Sequence, residues 1–302
     1  MVGKKNVGYP ARELLQMKTP LLILLLASAA IALPGCTPPK PQPKTTASAP
    51  NEIVTITLSG SGGGSQILKS IGKPFTSDRP QMRLDFLSGS RALGGSGLIM
   101  YQGLREGALD IGVALSPDIS REQAEELELL TIAEDPLTFV VDPKLQIEQL
   151  TLQQLQDIFA GRITSWQEVG GPDAAIVVLV RQEDEGSTTI LRQVVFGEIP
   201  FAESATLLTK AGHMRKAVTD IPNSIGYMSY GDFVINQVKA KAIAVDGASP
   251  ADYAQGKYPI PPRILAISYS PNNLPKVSSY IDYLKSDRAR ELLQQNGLKP
   301  ID

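Results

Sequence analysis

Three Gly/Ser-rich stretches carry the residue types that bind small anions. They are SGSGGGSQ at 59–66, SGSRALGGSG at 88–97 and EGSTT at 185–189. Each follows a strand-like apolar run and precedes a helix-like one. Glycine lets an anion come close to the backbone. A helix N-terminus offers unsatisfied N–H groups and a partial positive charge. Hydroxyls such as those of Ser187 and Thr188 donate further bonds. The third stretch also has Arg181 just upstream, and a guanidinium meets an oxyanion with two parallel hydrogen bonds. Three acids, Glu183, Asp184 and Glu185, interrupt that loop. A carboxylate facing an anion repels it, so these acids either point to solvent or take part in selection.

Other chemistries are short of residues. Cys36 and His213 are the single cysteine and histidine. No disulfide within the chain and no Cys/His zinc cluster can be built from them. His213 sits in KAGHMRKAV, without the strand-turn-helix context of a nucleophile elbow. Gly62–Gly64 are not followed by Gly-Lys-Ser/Thr, and no dinucleotide fingerprint is present, so nucleotide binding is disfavoured and no cofactor is expected. The chain has 302 residues and a formal charge of −2. Nothing in that balance points to nucleic acid.

The first 50 residues read as address and tether, not fold. Met17 to Cys36, MKTPLLILLLASAAIALPGC, has a lysine, a short apolar run and a small-residue end, the layout of a secretory signal. Met17 is the expected start. LPGC resembles the bacterial lipoprotein box, which predicts lipidation at Cys36 and a signal peptide over 1–36. Residues 37–51, rich in Pro, Thr and Ser, predict an extended linker. Lipid on Cys36 would hold the protein at a membrane while the linker gives the body reach.

The elements that must position the three loops follow from periodicity. Val54, Ile56 and Leu58 alternate as in a strand, and Ile67, Leu68 and Ile71 have helical spacing. MRLDF and LDIGVAL read as strands, with a helix over GLIMYQGLREG between them. ISREQAEELELL reads as a helix capped by Ser120 and Gln123, and LTLQQLQDIFAG as one capped by Thr151 and Gln154. IVVLV reads as a buried strand, SIGYMSYGDF as turn and strand, and the chain closes on two helices stopped at Gly297. The alternation predicts an α/β fold with a parallel sheet. Two lobes are expected, 52–140 plus 240–302 and 141–239, each a sheet flanked by helices. The loops would converge on the crevice at the strand ends.

LTLQQLQDIFAGRITSWQEVGGPDAAIVVLVRQEDEGST resembles the middle segment of the phosphate-binding component of bacterial ABC importers. The matching residues are Phe159, Gly161, Arg162, Ile163 and Trp166, then a strand and an arginine-containing loop. NSIGYMSYGDF and the C-terminal segment are similar to the same family, and the likeness runs over residues 53–302. It implies a two-lobed periplasmic-binding-protein-like fold of type II that closes on a tetrahedral oxyanion and hands it to a permease.

The ligand set the resemblance implies maps unevenly. Arg181, Gly186 and Ser187 match the third loop, while Glu185 falls on its ligand serine and Asp184 on a glycine. Gly64 and Ser65 fall on the ligand pair of the first loop, and Ser90 or Ser96 on the serine of the second. Asp110, Ile111 and Gly112 match an acid-led motif whose ligand acid, five residues on, is Leu115 here. Leucine cannot accept the proton of hydrogen phosphate. Either Glu185 has taken over as acceptor or the ligand is not phosphate. The expected function is a lipid-anchored, extracytoplasmic, monomeric solute-binding protein without catalytic role. It would deliver a small oxyanion, phosphate first, to ABC permease subunits. An envelope sensor or accessory lipoprotein on the same fold is the alternative.

Overall fold

Alternating Ile56 and Leu58 bury one face of the first strand, β1 (Val54–Gly60), and fix its register in the sheet. The structure is a computed structural model, and it describes residues 53–87, 97–116 and 126–301. After β1 come α1 (Gly62–Ile71), α2 (Lys73–Asp78), β2 (Met82–Phe86), α3 (Gly97–Arg105) and β3 (Ile111–Ser116). A long strand, β4 (Glu128–Val141), leads to β5 (Gln149–Leu150), α4 (Leu152–Phe159), β6 (Val177–Arg181) and α5 (Gly186–Leu191). Then follow β7 (Thr206–Leu208), α6 (Ala211–Asp220), β8 (Ser224–Ser229), α7 (Tyr230–Ile235), β9 (Lys241–Ala242) and β10 (Ala244–Val245). The chain returns through β11 (Pro262–Tyr269), α8 (Leu274–Lys285), α9 (Asp287–Gln295) and β12 (Lys299–Pro300).

Local signals explain most of these boundaries. Thr151 and Gln154 form the reciprocal capping box that opens α4, and Gly161, at φ +73°, leaves it in the left-handed region. Gly297, at φ +77°, does the same after α9. SIGYMSYGDF departs from expectation, because its strand ends at Ser229 and Tyr230 begins α7. The Ser229 hydroxyl accepts from the N–H of Asp232 and turns the chain from strand to helix there. The helix expected over ISREQAEELELL is also corrected. Its start, with Ser120 and Gln123, lies outside the described residues, but Glu128–Leu130 belong to β4. Pairing with β11 outweighs the helix-forming composition of that segment.

Strands run in the order β2-β1-β3-β11-β4-β8-β6-β7, with β12 and β9 also pairing with β4. The sheet is mixed, not parallel. β1 with β2 and β3, and β6 with β7 and β8, are parallel. β11 with β3 and β4, and β4 with β8, are antiparallel. Helix–strand alternation sets direction within each half, whereas β4 and β11 run between the halves and against their neighbours. β4 changes partner in mid-strand: Glu128–Pro136 pair with β11 and Leu137–Val141 with β8.

Two large buried clusters lie on either side of that change. One gathers Ile56, Leu58, Ile67, Phe75, Leu265 and Tyr280. The other runs from Leu137 and Phe139 through Phe159, Trp166, Phe196 and Tyr227 to Ile260. In the second, the rings of Phe139, Phe159, Phe196 and Tyr227 stand 4.8–6.5 Å apart. This aromatic packing holds Tyr227 rigidly, with its hydroxyl directed at the end of β6.

Candidate functional site

The first Gly/Ser turn enters a cleft of about 650 Å³ through Ser61, Gly62 and Gly63. Gly60 makes the turn possible. Its φ is +137°, and an added Cβ would fall 2.1 Å from the carbonyl oxygen of Val113. Ser61 caps α1 with its hydroxyl, 3.3 Å from the N–H of Gly64. Gly64 and Ser65 are not among the cleft residues. Gly64 packs inward, where a Cβ would meet Val113 at 2.9 Å, and Ser65 is half-buried in the helix. Ser90, Ser96 and Cys36 lie outside the described residues.

The third loop reaches the same cleft with Arg181, Glu185 and Ser187. Arg181 closes β6, and its backbone N–H donates to the Tyr227 hydroxyl at 2.9 Å. The same hydroxyl lies 2.6 Å from that of Thr188, so Thr188 is buried and engaged by Tyr227. Burial pushes the Tyr227 phenol up to about 12, against the pull of its bonds to Thr188 and Arg181. Gly186 opens α5, and Glu185 caps it, accepting from the Ser187 N–H at 3.0 Å. Glu183 turns outward and pairs with Arg192 at 2.6 and 2.9 Å, which holds its carboxyl below the usual value. Asp184 is exposed.

Four further charged groups line the cleft that the loop pattern does not indicate. Arg263, at the start of β11, stands opposite Asp135 across the β4–β11 ladder, with Nη2 3.2 Å from Oδ2. Its Nη1 lies 3.7 Å from Glu185 Oε1. Arg215, on α6, gives Nη1 to both oxygens of Asp232 at 2.7 and 2.8 Å. Lys210 precedes α6. Asp135 itself is fully buried behind the cleft and accepts from the Ser229 hydroxyl at 2.6 Å and the Gly231 N–H at 3.0 Å. Burial pushes the Asp135 carboxyl up, and Arg263 and these two donors oppose it. The sequence holds one signal for the Asp135–Arg263 pair: each is a charge inside an apolar strand, a position tolerated only with a partner.

The cleft therefore presents four cations, Arg181, Lys210, Arg215 and Arg263, against the carboxylates of Glu185 and Asp232. Among the described residues, Arg181 and Lys210 have no carboxylate within 4.0 Å, and the buried Nε atoms of Arg181 and Arg263 have no hydrogen-bond partner. An excess of guanidinium donors beside a glycine turn is a geometry for holding an oxyanion. His213 is exposed on α6. Leu115 is buried in β3, and its side chain would be 3.1 Å from a Cβ at Gly63, so the first turn carries no carboxylate at that position.

The PBP superfamily domain matches residues 44–288. The chain belongs to the PBP superfamily. Relatives of this superfamily member include the phosphate-binding protein PstS of Bacillus subtilis, 26% identical over 257 residues that cover 82% of this chain and 81% of that protein. PstS of Borreliella burgdorferi is 24% identical, covering 62% and 71% of the two chains. Among solved structures, a Clostridium perfringens protein is described as a phosphate ABC transporter substrate-binding protein with bound phosphate. It is 25% identical, covers 82% of this chain and 100% of its own, and has a TM-score of 0.67. An ABC-type phosphate transport receptor from Vibrio cholerae shares the fold, at 24% identity, 81% and 99% coverage and a TM-score of 0.57. These are names of binding proteins and not of enzymes, as expected for a PBP-type chain without catalytic role. The two-lobed α/β fold expected from the sequence is the fold of this superfamily.

Proposed function

We propose that the protein is a lipid-anchored extracytoplasmic solute-binding protein that captures a small oxyanion, inorganic phosphate, for an ABC importer. The observation that carries this reading is the convergence of Arg181, Arg215 and Arg263 with the Ser61–Gly63 turn on one cleft. Arg263 comes from the first buried half and Arg181 and Arg215 from the second, so an anion between them would draw the halves together. Lobes over 52–140 plus 240–302 and over 141–239 are part of the proposal. The two separate buried clusters support two lobes but favour other bounds, since Leu137, Phe139, Ile243, Val245, Tyr258 and Ile260 pack with the second cluster and draw the crossings toward Leu137 and Ile260.

Extracytoplasmic placement rests on the Met17–Cys36 signal and on the named relatives. No helix among the described residues is long and apolar enough to cross a membrane. Lipidation at Cys36 would supply the attachment, and Cys36→Ser should then move the protein from the membrane to the soluble fraction. Native mass spectrometry of the purified protein, followed by calorimetric titration with phosphate, tests the ligand. A retained phosphate or a micromolar or tighter Kd is expected. No binding of phosphate by the wild type would overturn the reading.

One observation favours a second reading. Glu185 places a carboxylate 3.7 Å from Arg263, inside the cleft and opposed to an anion. A sensor or accessory lipoprotein with a different ligand, or none, would carry that arrangement at no loss.

A further inference from the structure

Two cleft arginines, from distant parts of the sequence, are each held by a buried acid. Asp135 holds Arg263 and Asp232 holds Arg215. The Asp135 carboxylate and the Asp232 backbone meet at one hydroxyl. Ser229 Oγ donates to Asp135 Oδ2 at 2.6 Å and accepts from the Asp232 N–H at 2.9 Å. The Gly231 N–H adds a second bond to Asp135, at 3.0 Å. Asp135, Ser229, Asp232 and Arg263 are all buried, with relative exposures of 0, 4, 3 and 7%. The contacts therefore run from the Arg263 guanidinium through the Asp135 carboxylate and the Ser229 hydroxyl to the backbone of Asp232, whose own carboxylate holds Arg215.

Its position in the fold is at the joint. Ser229 pairs with Leu137, the first β4 residue to face β8, and Asp135 lies two residues earlier, still facing β11. Gly231 leaves no space there, since a Cβ would stand 3.0 Å from Asp135 Oδ1 and 2.9 Å from Leu298. Buried polar groups in low dielectric polarise one another, and displacing one member is felt along the set.

We propose that the Ser229 hydroxyl is a positioning group that ties Arg263 and Arg215 into one unit, so that the cleft engages an oxyanion with both guanidiniums together. The inference rests on the reading of the cleft as an oxyanion site. Ser229 also lines the cleft. In this scheme it acts through the Asp135 carboxylate and the Asp232 backbone N–H, and a direct contact to the anion would instead give independent losses in the double variant. Without the hydroxyl, Asp135 keeps Gly231 and Arg263 but loses its link to Asp232, and the two arginines adjust independently.

The test uses the full chain and inorganic phosphate as probe. Wild type, Ser229→Ala, Arg215→Ala and the double variant are titrated by calorimetry and melted without ligand. Ser229→Gly accompanies them, because glycine is a tolerated N-cap and keeps the start of α7 if alanine does not fold. Ser229→Ala is expected to weaken phosphate binding about tenfold, the scale of one lost hydrogen bond to a charged group. Ser229→Thr, which restores the hydroxyl, should recover most of it. The double variant should be weaker than Arg215→Ala by less than threefold, since without Arg215 the hydroxyl has no second guanidinium to tie to Arg263. Multiplicative losses in a folded double variant, or wild-type affinity in Ser229→Ala and Ser229→Gly, would overturn the coupling and leave the proposed function standing. If the wild type binds no phosphate, the proposed function falls, and the ligand-free melts decide the coupling. Additive shifts in Tm then overturn it, and non-additive shifts with rescue by Ser229→Thr uphold it.

Discussion

Arg263 faces Asp135 directly across the β4–β11 ladder, Nη2 to Oδ2 at 3.2 Å, at the point where β4 is about to exchange β11 for β8. Both side chains are buried. Removing one member of such a pair leaves an uncompensated buried charge, which costs about 3–5 kcal/mol. Asp135→Ala should therefore lower unfolding stability by about that amount at neutral pH, measured by urea denaturation. A loss below about 1 kcal/mol would show that Arg263 finds solvent or another partner.

Arg181 differs from Arg263 in having no carboxylate to hold it among the described residues. It is positioned instead by its backbone bond to Tyr227. Among the cleft's three guanidiniums it is thus the one most available to an anion. A hydrogen bond to a charged group contributes about 1.5–3 kcal/mol, so Arg181→Ala should weaken phosphate binding by about tenfold to a hundredfold or more. Unchanged calorimetric affinity would place the anion elsewhere in the cleft.

The acid limb of stability should report a network remote from the cleft. Burial alone would raise the Asp110 carboxyl, but Lys276, the Thr57 N–H and hydroxyl, and Asn273 hold it below its ordinary value. Lys276 Nζ lies 2.7 Å from Oδ2. A depressed acid contributes stability above its unfolded pKa of about 3.9, and that contribution is lost as pH falls through the folded value. Lys276→Met raises the folded value toward the unfolded one. Neutral-pH stability should drop by up to about 1 kcal/mol, since the lysine is partly exposed. The difference between the two proteins should fade below about pH 4. Parallel pH–Tm curves through that range would rule the ion pair out as the source.

Much of the scaffold was legible because its signals are local. The Thr151–Gln154 capping box, the alternation in β1 and the glycine stop after α9 depend on residues within a few positions of each other. Glu128–Leu130 read as helix because their composition favours it, while their pairing with β11, over a hundred residues away, decides for strand. The site divides along the same line. Arg181, Glu185 and Ser187 sit on one loop that a motif can mark. Arg263, Arg215 and Lys210 reach the cleft only because β11 is inserted beside β4 and α6 follows a strand paired to β6. The shift within the first turn, from Gly64 and Ser65 to Ser61–Gly63, is a matter of one helical turn. Family spacing does not resolve it once the loop sequence departs from the pattern.

If the cleft takes an anion, as proposed, Glu185 is the group expected to select it. Its carboxylate caps α5 through Ser187 and stands 3.7 Å from Arg263, while Glu183 is engaged outward by Arg192. An ionised carboxylate about 4 Å from a bound anion is repelled by about 4 kcal/mol at an effective dielectric near 20. That is about a thousandfold in affinity. A proton removes the conflict. If Glu185 accepts the proton of hydrogen phosphate, repulsion becomes a hydrogen bond and the acceptor missing at Leu115 is replaced. Wild type should then bind phosphate or arsenate, which carry a proton at neutral pH, in preference to sulfate. Glu185→Ser keeps a good N-cap and should reduce that preference by about tenfold or more, whereas Glu183→Ser and Asp184→Ser should change it little. Calorimetry of the four proteins with phosphate and sulfate checks this. A Glu185→Ser variant with both affinities unchanged would assign Glu185 to helix capping alone.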